Sequence, residues 1–67
     1  MKRLKKERQK RDMSQADLAF KLRIYPTQLS KIENGRIIPF KPNQEKLENF
    51  FNMSIDDLLQ EVNNNGI

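Results

Sequence analysis

Apolar residues recur at spacings of three and four in short blocks along the chain, and no stretch alternates as a strand would. Lys2–Arg11 reads as a helix of strong helix formers without Gly or Pro. Met1, Leu4 and the aliphatic stem of Arg8 give it one narrow apolar edge, the rest being wet. Asp12 and Met13 form a short link. Ser14 is expected to cap the next helix, with Asp17 three residues on as its capping-box partner. Gln15–Leu22 follows, with Leu18, Ala19 and Leu22 on one face; the small Ala19 lets a neighbouring helix approach closely. Arg23-Ile24-Tyr25 is a turn, and Pro26 suits the first position of a new helix. That helix runs to about Asn34 and stops at Gly35, the left-handed residue past its end, with Leu29 and Ile32 inward.

The loop GRIIPFK, Gly35 to Lys41, is expected to fold Ile37, Ile38 and Phe40 back over the core, with Pro39 and Pro42 keeping it extended. Asn43 is expected to cap a helix over Gln44–Phe51 that turns Leu47, Phe50 and Phe51 inward. Asn52 supplies another left-handed turn, Met53 packs below it, and Ser54 with Asp57 makes a second capping box. Ile55, Leu58, Leu59 and Val62 give the last helix its apolar stripe. The pattern thus predicts an all-α domain over residues 1–62 and a flexible, frayed polar tail over 63–67.

Composition narrows the choices. With 67 residues the chain is expected to form one domain, burying only about 60% of its unfolded surface. It has no cysteine and no histidine, which removes disulfides, thiolate metal sites and the commonest general base. No metal and no cofactor is expected. MKRLKKERQKR could open a signal peptide, but no apolar stretch follows it, and no run suits a membrane span. A cytoplasmic protein is the expectation. Net charge is +4 and unevenly spread: residues 1–41 hold twelve Lys/Arg against four acids, residues 42–67 one Lys against five. Such a molecule presents its basic end to a polyanion. The basic run at the start fits an ordinary solvated helix face equally well.

Helical geometry decides what the Pro26–Asn34 helix shows to solvent. At about 100° per residue, Thr27, Lys31 and Asn34 lie opposite Leu29 and Ile32, with Gln28 and Ser30 flanking them. Gln suits the adenine edge, Lys suits guanine O6 and N7, and Thr offers a hydroxyl and a methyl. Taken alone, the helix reads better as plain solvated surface. Its context favours a face that reads bases: a short helix after a three-residue turn, its N-terminal dipole open to phosphate, Gln15 opening the preceding helix, and Arg23, Arg36 and Lys41 in bordering loops.

The segments SQADLAFKL and LSKIENG resemble the helix-turn-helix of the lambda-repressor/Cro family, also called the xenobiotic-response-element family of bacterial and phage regulators. The likeness runs from about Leu4 through Leu59 and includes SIDDLL, which is similar to that family's fifth helix. It implies a compact five-helix, lambda-repressor-like domain with Pro26–Asn34 in the major groove. By position, it implies that Pro26, Thr27, Gln28, Ser30 and Lys31 face bases and that Gln15, Asn34 and Arg36 contact phosphate. It also implies a partly buried ion pair between Arg8 and Glu33. Three positions depart from the family pattern. Tyr25 replaces a small capping residue, leaving either a weaker cap or a phosphate ligand; Pro26 replaces a long polar reader; Arg23 stands where a turn glycine is common.

Three functions follow for comparison. The first is a sequence-specific binder of double-stranded DNA, a repressor of bacterial, phage or mobile-element origin, working as a homodimer on a palindromic operator. Either the apolar remainder of Ile55–Val62 or the Ile37–Phe40 loop would supply the dimer contact. The second is an antitoxin-like or adaptor module that holds a protein partner with its acidic C-terminal half. The third, an enzyme, rests on Asp56 and Asp57 alone, and the dipole of a helix start already explains that pair. No catalytic residue is expected.

Overall fold

The computed structural model describes residues 1–62. They form five helices: α1 (Arg3–Lys10), α2 (Gln15–Leu22), α3 (Pro26–Glu33), α4 (Lys41–Phe51) and α5 (Ile55–Leu58). The tail expected over residues 63–67 lies outside the described residues.

Local chemistry sets most of the boundaries. The Asp17 N–H donates to Ser14 Oγ at 3.0 Å and the Ser14 N–H to Asp17 Oδ2 at 3.0 Å, the reciprocal box that starts α2. That helix ends at Arg23, whose φ of 57° is left-handed, a conformation a branched or long side chain adopts only at some cost. The Lys46 ammonium covers its carbonyl at 3.2 Å. Pro26 opens α3, and Gly35 at φ +75° turns the chain away after it. Asn52, at φ 56°, does the same after α4.

Two boundaries differ from the sequence expectation by more than one residue. Helix α4 begins at Lys41 rather than Gln44, so Asn43 lies inside its first turn and is not its cap. Pro42 lacks the N–H that a first turn leaves unpaired, so it starts the helix instead of extending the loop. Helix α5 is a single turn ending at Leu58, short of Val62. Beyond it the chain pairs with the N-terminus: the Arg3 N–H donates to the Gln60 carbonyl at 2.8 Å and the Val62 N–H to the Met1 carbonyl at 2.8 Å. Lys2 and Glu61 form an isolated antiparallel bridge. The second capping box is half made, since Asp57 N–H reaches Ser54 Oγ at 3.2 Å while Glu48 Oε2 takes the Ile55 N–H at 2.8 Å.

Leu4, Leu18, Ala19, Ile24, Leu29, Ile32, Leu47, Phe51 and Leu58 form the core, with Met13, Leu22, Phe50, Met53, Ile55 and Leu59 around it. Helix α2 packs on α3, and α5 joins α4 to α1. The loop after α3 does not fold inward as expected. Ile38 is 76% exposed and Phe40 72%, while Pro39 takes the buried place and its carbonyl accepts from Gln44 Nε2 at 2.9 Å. A tight loop of this length buries one of its apolar residues and leaves the others in water.

Candidate nucleic-acid interface

The burial of Leu29 and Ile32 fixes the rotation of α3 and so decides which residues leave the protein. Pro26, Thr27, Lys31 and Asn34 are exposed, while Gln28 and Ser30 are half-buried on the flanks. Tyr25, just before the helix, is 76% exposed and makes no side-chain cap. The helix therefore begins on open backbone N–H groups.

The inward side of α3 carries Glu33, which is almost wholly buried. Arg8 meets it with two parallel bonds, Nε to Oε2 at 2.8 Å and a terminal nitrogen to Oε1 at 3.0 Å. The other terminal nitrogen of Arg8 donates to the Met13 carbonyl at 2.8 Å. Gln15 Nε2 adds a third bond to the carboxylate, reaching Oε1 at 3.1 Å. This arrangement ties α1, α2 and α3 together and neutralises the only acid between Lys21 and Gln44. The outward face of α3 thus has no unpaired carboxylate behind it. Among the described residues, no buried side-chain polar atom lacks a partner.

Around this helix the expected phosphate ligands fall in three places. Arg23 and Tyr25 line one open groove at the α2–α3 turn, together with Phe20, Lys21 and Pro26. Arg36 follows Gly35, its N–H donating to the Lys31 carbonyl at 2.8 Å, so it sits at the C-terminal end of α3. Lys41 opens α4, whose first turn is joined to α3 by a bond from Asn43 Nδ2 to Gln28 Oε1 at 3.3 Å. Arg23, Arg36 and Lys41 are all exposed. Gln15 differs from the rest: it is half-buried, and its amide nitrogen is already engaged by Glu33.

Asn43 is the residue whose place at this surface sequence reasoning missed. Nothing local marks it, since its partner lies fifteen residues back across an irregular loop. The carboxylate of Asp17, near the start of α2, is held below the usual range by the Ser14 backbone N–H and then by the Ser14 hydroxyl.

A known family's model, described as helix-turn-helix, matches residues 4–58, from the first core leucine to the last. The chain belongs to the Cro/C1-type helix-turn-helix family. Its all-α, lambda-repressor-like fold is the one described above, and α2 and α3 are its helix-turn-helix. Membership makes this a DNA-binding domain of the kind found in regulators, with double-stranded DNA as the partner. No match was found among curated proteins or among solved structures. Among the described residues, no helix is long and apolar enough to cross a membrane.

Proposed function

We propose that this protein is a sequence-specific transcriptional regulator that represses by occupying operator DNA, with α3 in the major groove. The observation that carries the reading is the two-sidedness of α3. Its only acid is folded inward and neutralised, while Pro26, Thr27 and Lys31 stand in solvent. Pro26, Thr27, Gln28, Ser30 and Lys31 meet base edges; Arg23, Tyr25, Asn34, Arg36 and Lys41 hold phosphates. Gln15 reaches phosphate with whatever donor capacity its bond to Glu33 leaves.

A single module buries only about 600–1,000 Å² on DNA, too little for tight specific binding at physiological salt. The functional unit is therefore a homodimer on a palindrome, with half-sites about 34 Å apart. The exposed Ile38 and Phe40 favour the loop after α3 as the pairing surface.

Selection of bound sites from a random duplex library tests this directly, with mass measured on and off DNA. A two-fold symmetric site, bound by two chains, with affinity falling steeply in salt, is the expected result. Absence of duplex binding in dilute buffer would reject it. That outcome would favour the adaptor role, for which the bare Phe20 side chain, 88% exposed on α2, is the supporting observation.

A further inference from the structure

We infer that Asn43 is a positioning residue for base reading: its amide meets that of Gln28 across the α3–α4 junction, Nδ2 to Oε1, and so occupies one end of the Gln28 amide and leaves the other to DNA. The inference rests on the reading that α3 lies in the major groove. A glutamine amide has an accepting end and a donating end, and free in solution it turns either toward a base. Here the 3.3 Å bond turns Oε1 toward α4 and leaves Nε2 facing away from it. Both residues are half-buried, and Asn43 sits in the first turn of an eleven-residue helix, a firm support. Among the described residues, no protein acceptor takes the Nε2 hydrogens of Gln28.

The consequence is a donor at that point of the surface. In the major groove guanine shows two acceptors, thymine one acceptor, cytosine only a donor, and adenine one of each. An amide free to turn pairs best with adenine, using both ends. One held with its oxygen inward favours guanine or thymine and opposes cytosine.

Replacing Asn43 with Asp reverses the logic. A carboxylate has no hydrogen to give, so it accepts from Gln28 Nε2 and turns the amide oxygen outward. Preference then moves toward the donors of adenine and cytosine. An acid in the first turn also suits the dipole of α4, so N43D keeps the fold.

Site selection is run on the natural chain and on Gln28→Ala, Asn43→Ala and Asn43→Asp, with thermal unfolding as the folding control. Loss of preference in Gln28→Ala identifies the base step concerned. At that step the natural chain is expected to prefer guanine or thymine over cytosine by roughly tenfold. Asn43→Ala narrows the difference, and Asn43→Asp inverts it, while preferences at other steps hold. A loss of packing alone lowers stability and affinity for every sequence and does not invert one preference. If Gln28→Ala shifts a step but Asn43→Asp keeps the natural preference there, the inference fails and the regulator reading stands. If Gln28→Ala changes no step, Gln28 reads no base and the inference fails. A natural chain that selects no site overturns both.

Discussion

Glu33 shows how one residue serves a DNA-binding surface by keeping away from it. Buried and triply bonded, it fastens α3 to α1 and α2. Glu33→Gln leaves the Arg8 guanidinium buried without its counter-charge, and unfolding free energy should fall by about 3–5 kcal/mol. The double variant Arg8→Met/Glu33→Leu should recover most of the loss, and urea unfolding of all three chains measures both steps. On the outward side, Gln28→Ala should cost about 1–3 kcal/mol of specific binding at one base step, read by competition with single-base variants of the selected site. The family resemblance placed Arg8 opposite Glu33, because it carries three-dimensional proximity that spacing does not. The amide bonds of Gln15 and Asn43 were not legible in this way. A glutamine or asparagine forms such a bond wherever a partner happens to lie, and those partners stand eighteen and fifteen residues away.

Most helix ends that obey local rules were legible; the start of α4 was not, because Pro42 suits a helix's first turn as well as an extended loop. Ser14 with Asp17, Pro26 and Gly35 fix α2 and α3 by bonds and dihedrals within a few residues. Where an end depends on distant chain, the reading failed: α5 stops early because Gln60–Val62 pair with Met1–Arg3. The family resemblance marked Arg23 as standing at a glycine position, and its left-handed backbone makes that cost testable. Arg23→Gly removes about 1–2 kcal/mol of backbone strain, against roughly 0.5–1 kcal/mol of added chain freedom. A small net gain in thermal stability should therefore accompany weaker DNA binding, since the same change deletes a proposed phosphate ligand. Ser14→Ala, which removes a cap and no ligand, should cost about 1 kcal/mol of stability.

At the scale of the molecule, charge controls both folding and binding. The Glu7 carboxyl is held low chiefly by Arg11, with Lys10 assisting against the opposing effect of burial. Glu61 is held low by the Met1 amino group and then Lys2, and Asp17 by Ser14. Depressed values mean that the unfolded chain binds more protons, so these groups stabilise the fold above the ordinary carboxylate range and cease to do so as pH falls through their lowered values. Unfolding midpoints followed by circular dichroism should drop below about pH 4, and Glu7→Gln should flatten part of that slope. Binding should show the opposite economy of detail. Arg36→Ala is expected to weaken every duplex alike and to reduce the slope of log affinity against log salt by about one.

The pairing of Met1–Arg3 with Gln60–Val62 also orders events during synthesis. As the polypeptide leaves a ribosome, α1 emerges first yet finds its α5 neighbour only after some fifty further residues have appeared. The α2–α3 hairpin needs no such wait, because its mutual contacts close over a short loop. Nascent chains are thus expected to form α3 early and to dock Met1–Arg3 last.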